Sequence, residues 1–308
     1  MTVADTPRKS AISRRNRGYT LFLIPGLLYF AIFVVTPFLA NIGISLTSWS
    51  GVGPLEFVGV ANYARAFADE TFWRSFGNNL QLIVAMTVIP ALLGLLVSVW
   101  LFEYIRPKFG VTTANTFRAL FYLPQALTLV ISAYAWKWLL QPEWGAINWT
   151  LRQIGLDNLA HNWLGDSSTA LLSVGGMMVW FQLGDPIVIF LAALQRINPE
   201  LFECSMLDGA NFGQRLMHIV LPQILMEVNI VVLTTMIHAL KIFGPVYAMT
   251  RGGPGKATTV AAYFSFRNFF EASKVGYGST VATLLSLTII IISTFFILVQ
   301  SRTEEEVV

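Results

Sequence analysis

Two groups of residues in this 308-residue sequence have types and spacing that could do chemistry. The first is Trp180-Phe181-Gln182-Leu183-Gly184-Asp185-Pro186, a carboxylate beside a helix-weakening Gly and Pro in an otherwise apolar run. Pro186 removes a backbone donor and obstructs the carbonyl of Gln182, while Gly184 leaves the backbone bare. Farther along, Thr235, His238 and Ile242 are spaced three and four apart, which puts them on one helix face. Carboxylates and amides accept hydrogens from solute hydroxyls, and aromatic faces stack on sugar rings. Two readings of Asp185 stand side by side: a kink at which it pairs with Lys241 or His238 for packing, or the wall of a substrate cavity. The second group is Glu200, Glu203 and Asp208, three acids within nine residues. No catalytic constellation accompanies them. Gly255-Lys256 fails as a phosphate loop, because Thr250 stands where the first Gly is needed and Ala257 where Ser or Thr would bind Mg²⁺. There is no HExxH and no Cys/His cluster, so no metal ligand set is predicted. The single Cys204 excludes an intramolecular disulfide.

The elements that position these residues follow from composition. Only 12% of residues are charged and 55% are apolar or aromatic, against about 25% charged in a soluble domain. The net charge of +3 leaves no footprint for nucleic acid. Six stretches reach the roughly 20 apolar residues that a bilayer core requires: 19–46, 80–102, 119–140, 170–194, 217–243 and 279–299. Glu227, His238 and Lys241 interrupt the fifth. Lys137, between Trp136 and Trp138, is expected to snorkel to the interface. Arg8, Lys9, Arg14, Arg15 and Arg17 precede the first span, which places the N-terminus, and with six spans also the C-terminus, in the cytoplasm. The first apolar stretch is too long for a secretory signal. The chain therefore divides into a cytoplasmic tail (1–18), an all-α transmembrane unit (19–302) and a second cytoplasmic tail (303–308). No internal repeat is evident.

One segment between the fourth and fifth spans does not read as a loop. Asn198 is a good N-cap, Pro199 suits the first helical position, and Glu200 faces the positive end of the dipole. Gly209 is placed to end the helix in the left-handed region. The residues alone favour equally a linker lying on lipid headgroups and an element on which a partner docks.

The run Pro199-Glu200-Leu201-Phe202-Glu203-Cys204-Ser205-Met206-Leu207-Asp208-Gly209-Ala210, followed by Ile219-Val220-Leu221-Pro222, resembles the EAA loop of ABC-importer permeases. Glu203, Asp208, Gly209, Ala210, Leu221 and Pro222 match that pattern, and Cys204 and Ser205 replace its two alanines with small side chains. The stretches 56–63, 118–124 and 250–255, with Gly276-Tyr277-Gly278, are similar to loops of sugar permeases of the maltose-transporter type. The resemblance implies a MetI-like fold with a family core over about 75–302 and a coupling helix over about 198–210. It implies a second homologous permease subunit, a dimer of ATP-binding subunits, an extracytoplasmic solute-binding protein and a carbohydrate substrate in a bacterial or archaeal plasma membrane. This chain would be non-catalytic and hold no cofactor, since ATP and Mg²⁺ would sit on the partner ATPase. Glu200, Glu203, Ser205, Asp208, Gly209 and Ala210 would couple to it. Carried over by position, the substrate path would use Phe181, Leu183, Gly184 and Ile187 with Thr235, His238, Ala239 and Ile242, beside the Gln182 and Asp185 singled out above. The competing class is an ion-coupled carrier with Asp185 as coupling carboxylate. Such a carrier usually shows two related repeats, which this sequence lacks.

Overall fold

The computed structural model describes residues 22–305, so the 1–18 tail, the first three residues of the first span and residues 306–308 lie outside the described residues. Regular structure among the described residues is helical apart from one antiparallel bridge between Thr47 and Phe57. Among the described residues, four helices are long and apolar enough to cross a membrane: Phe22–Ser45, Glu70–Phe109, Ala170–Leu194 and Val275–Leu298. Two bent pairs, Val111–Ala126 with Leu129–Leu139 (94°) and Phe212–Gln223 with Leu225–Leu240 (78°), bring the total to the expected six when each counts as one span. Each bend has a proline beside it, Pro124 in one and Pro222 in the other, where a missing N–H and a ring clash interrupt the ladder. The last helix continues to Glu305, so the tail expected from 303 begins as helix.

The second span, Glu70–Phe109, is the centre of the bundle and packs on the fourth and fifth spans, while the first packs on the sixth. Leu82, Met86, Val174, Met177, Ala239 and Val246 form one buried cluster, and Val99, Phe190, Leu194, Val220 and Val231 another. The first span leaves almost all of its apolar side chains exposed within this chain.

Helix ends inside such a bundle present carbonyls that no water can satisfy. Side-chain amides from other elements do so here. Asn62 donates to the carbonyls of Ser45 (2.9 Å) and Thr47 (2.7 Å) at the end of the first span. Asn79 donates to the Ala239 carbonyl (3.0 Å) and accepts from the Ala261 amide (2.9 Å), and Asn78 donates to Thr259 (2.8 Å). Lys137, expected to snorkel to the interface, is part-buried and donates to the Ala248 carbonyl (3.3 Å). A hydrogen bond from an ammonium to a carbonyl is charge-assisted and stronger than a neutral one.

At the start of the second span, Asp69 accepts from the Thr71 amide (2.8 Å) and from the Tyr277 hydroxyl (2.8 Å), with the Arg65 guanidinium 4.5 Å above the Tyr277 ring. Burial pushes the Asp69 carboxyl up, but the hydrogen bonds from Tyr277 and Thr71 outweigh it and hold the group below the usual carboxylate range. A depressed carboxyl stabilises the fold fully above its unfolded value, and that contribution is lost as pH falls through the folded one. Tyr277→Phe is therefore expected to move acid unfolding to higher pH, as read by circular dichroism. An unmoved transition would show that this bond adds nothing.

Candidate functional site

The bend of the third span, the break in the fourth and the Lys241 end of the fifth converge on a cavity of about 300 Å³. In the fourth span the helical ladder is interrupted at Leu183, between Ala170–Gln182 and Gly184–Leu194. Of the residues named from the sequence for a substrate path, Phe181, Gln182, Asp185, His238 and Ile242 line this cavity. Leu183, Gly184, Ile187, Thr235 and Ala239 are not among its lining residues. Leu183 and Ile187 pack with Leu101, Ile105 and Leu191. A Cβ on Gly184 would lie 2.8 Å from the Tyr122 Cα, so this glycine serves the close crossing of the third and fourth spans. The Thr235 hydroxyl bonds its own helix at the Val231 carbonyl (2.7 Å), and Ala239 is fully buried against the second span.

Residues that the sequence reading did not place in the path complete the wall: Gln125, Leu129, Met178, Lys241, Phe243 and Gly244. Gln125 follows Pro124 at the 94° bend, and that neighbouring proline is the one sequence signal for it. Among the described residues the ion pairs are Arg196–Glu227 and Arg215–Glu103, so Asp185 pairs with neither Lys241 nor His238 although all three face one cavity. The lining thus offers a carboxylate, two amides, an imidazole, an ammonium and two phenyl rings to a polar solute. No group of three His, Cys, Asp or Glu among the described residues could hold a metal ion.

The second site is the helix Pro199–Leu207. The Asn198 side chain accepts from the Glu200 amide (3.1 Å), which caps the first turn. At the other end Gly209 adopts φ 75°, with Gly209 N–H donating to Met206 (3.1 Å) and Ala210 N–H to Ser205 (2.9 Å). That pair of bonds is a Schellman stop, which a side chain at position 209 would strain. Glu200, Glu203, Asp208 and Gly209 are exposed, while Ser205 and Ala210 are half-buried. The Ser205 hydroxyl donates to the Phe202 carbonyl (2.8 Å), and the Ala210 carbonyl accepts from Arg215 Nη1 (2.8 Å).

What holds this helix against the spans is less visible in sequence. Phe202 is buried against Phe102, with ring centroids 5.8 Å apart. Arg215 Nη2 meets Glu103 Oε2 at 2.6 Å, with the two side chains only 15% and 13% exposed. Arg196, just before the helix, pairs with Glu227 of the fifth span. An open cleft of about 490 Å³ runs between the helix and the ends of the second and third spans, lined by Phe102, Glu103, Arg106, Phe202, Met206 and Arg215 among others. The rest of the helix surface mixes acids with apolar groups: Glu200, Glu203 and Asp208 are exposed, as are Leu201 and Leu207, the latter at 88%, while Met206 opens on the cleft.

Residues 108–303 match the family described as binding-protein-dependent transport system inner membrane component. The chain is 34% identical over 274 residues to a probable ABC transporter permease protein of Bacillus subtilis, YurN, covering 89% of this chain and 92% of that one. It is 29% identical to the trehalose/maltose transport system permease protein MalF of Thermococcus litoralis, over 89% of this chain and 91% of the relative. A crystal structure of a bacterial ABC transporter that imports the acidic polysaccharide alginate shares the fold, with a TM-score of 0.77, 22% identity, and 96% and 99% of the two chains covered. The exposed capped helix at one end, the bent spans around a central cavity and a family match over most of the length agree: the chain belongs to the inner membrane components of binding-protein-dependent transport systems, as a permease subunit of an ABC importer.

Proposed function

We propose that this permease subunit carries a carbohydrate into the cell, driven by ATP hydrolysed on a separate subunit seated at the Pro199–Leu207 helix. The observation that carries the reading is that helix: capped at both ends, pinned by Phe202 and Arg215, yet with Leu201 and Leu207 exposed beside Glu200, Glu203 and Asp208. A linker would have no need to be held so firmly while presenting apolar side chains outward. Glu200, Glu203, Ser205, Asp208, Gly209 and Ala210 form its docking and stop region. In this reading the helix and both termini lie in the cytoplasm of a bacterial or archaeal cell. A second permease subunit covers exposed apolar span surface, and a solute-binding protein delivers sugar at the opposite end. The chain itself holds no cofactor, because ATP and Mg²⁺ belong to the partner.

The central cavity supports a polyhydroxylated solute. Hydroxyls both donate and accept, which suits a wall that mixes Asp185, Gln182 and Gln125 with Lys241 and His238, while Phe181 and Phe243 offer ring faces. The relative named for trehalose and maltose transport points the same way. The test is co-purification with the products of neighbouring genes and uptake of radiolabelled sugars into vesicles loaded with ATP. Glu203→Ala and Asp208→Ala, both at exposed positions, are expected to reduce ATPase association and uptake while leaving stability within about 0.5 kcal/mol. Uptake that ignores ATP and collapses with a protonophore would overturn the reading in favour of an ion-coupled carrier.

A further inference from the structure

Pro90 lies inside the second span. With no N–H to give, it leaves the carbonyl of Met86, one turn back, without its helical donor. Met86 is fully buried, so no water supplies the missing bond. Gln182 of the fourth span does: its Nε2 donates to the Met86 carbonyl at 2.8 Å. A carbonyl can only accept, so this contact dictates which end of the amide faces the second span and aims Oε1 away from it. Gln182 is 4% exposed, it lines the central cavity, and Oε1 has no hydrogen-bond partner. Gln125 lines the same cavity, and its Nε2 is likewise buried without a partner. Two residues of the cavity wall among the described residues therefore carry a buried, unmatched and neutral polar atom, an acceptor on Gln182 and a donor on Gln125.

We propose that Gln182 Oε1 and Gln125 Nε2 are the specificity-determining pair for solute hydroxyls, and that Pro90 is a positioning residue that sets the Gln182 amide through the Met86 carbonyl. The proposal rests on the carbohydrate reading above and narrows it. Hydroxyls can donate to Gln182 and accept from Gln125. An ammonium group can serve only the first and an ether oxygen only the second. A site with buried amides to satisfy discriminates strongly against analogues that lack the matching hydroxyl.

The experiment uses the full complex with its ATPase, second permease subunit and binding protein in proteoliposomes, and measures ATP-driven uptake of radiolabelled maltose, trehalose, xylose and diacetylchitobiose. Gln182→Leu and Gln125→Leu are each expected to raise KM for the imported sugar roughly tenfold, with kcat changed less than about twofold. Pro90→Ala restores an N–H opposite the Met86 carbonyl, which competes with Gln182. It is expected to raise KM alone but to add nothing on top of Gln182→Leu, a non-additivity that a merely structural role would not produce. Should Pro90→Ala fail to assemble, Gln182→Glu replaces it: the carboxylate keeps an acceptor but cannot donate to Met86, and KM is again expected to rise. Sugar uptake with KM unchanged in both leucine variants overturns the assignment of the pair. A Pro90→Ala effect that adds to Gln182→Leu, or an unchanged KM in Gln182→Glu, overturns the positioning role. ATP hydrolysis by the wild-type complex with uptake of none of the four sugars would instead overturn the carbohydrate reading, and this proposal with it.

Discussion

Arg215→Ala is expected to destabilise the chain by about 3–5 kcal/mol, the usual cost of stranding one member of a buried ion pair. Both Nε (3.2 Å) and Nη2 (2.6 Å) of Arg215 reach the same oxygen of Glu103, and Nη1 holds the Ala210 carbonyl. Removing the guanidinium leaves the Glu103 carboxylate, 13% exposed, with no cation beside it. The double variant Glu103→Met/Arg215→Met is expected to recover most of the loss, because apolar groups of similar volume replace a buried pair at little or no cost. The thermal midpoint of the purified protein reads both results. Uptake separates stability from transmission. The pair joins the segment just after the Pro199–Leu207 helix to the Phe109 end of the central span, so the stable double variant should import less solute per ATP. The Arg196–Glu227 pair provides the contrast: Arg196 is 68% exposed, and breaking the pair should cost no more than about 1 kcal/mol. An Arg215→Ala protein as stable as the wild type would show that the clamp is not structural.

Opposite faces of the Pro199–Leu207 helix should respond in opposite ways. Phe202→Ala opens a hole in the cluster around Val99, Phe190, Leu194 and Val220, at a cost of about 3–5 kcal/mol. Leu207→Asp, at a position 88% exposed, should leave the stability of this chain within about 0.5 kcal/mol and abolish capture of the ATPase subunit in a pull-down. Retained ATPase with full uptake in Leu207→Asp would remove this face as the docking surface.

The Pro199–Leu207 helix was legible because its signals are local. Asn198, Pro199 and Gly209 act on backbone groups within a few residues, so spacing alone predicts the helix and both stops. The path residues were legible only in part, for a geometric reason. Thr235, His238 and Ile242 share a face on an ideal helix, yet of the three only His238 and Ile242 line the cavity, the latter just past the helix end at Leu240. Periodicity also says which residues face together and not what they face: Ala239 packs in the cluster with Leu82 and Met86 and the Thr235 hydroxyl bonds its own helix, whereas His238 lines the cavity. Gln125 enters the cavity through a 94° bend whose direction depends on packing from other spans. Charge pattern alone pairs Asp185 with Lys241 or His238, but sharing a cavity does not bring groups to bonding distance. Glu103 and Arg215 are 112 residues apart, beyond any local signal.

The amide stitches at the helix ends also impose a schedule on synthesis. Asn79 must wait for Ala239 and Ala261, which follow it by 160 and 182 residues, and Asn78 for Thr259, 181 residues later. At the usual pace of translation this is a delay on the order of ten to thirty seconds. During that interval the second span is already made, but the backbone groups that its asparagines will join are not. The nascent chain must lend those side chains water or other interim partners, and a chain that stops before the fifth span exposes two amides with nothing in the protein to match them.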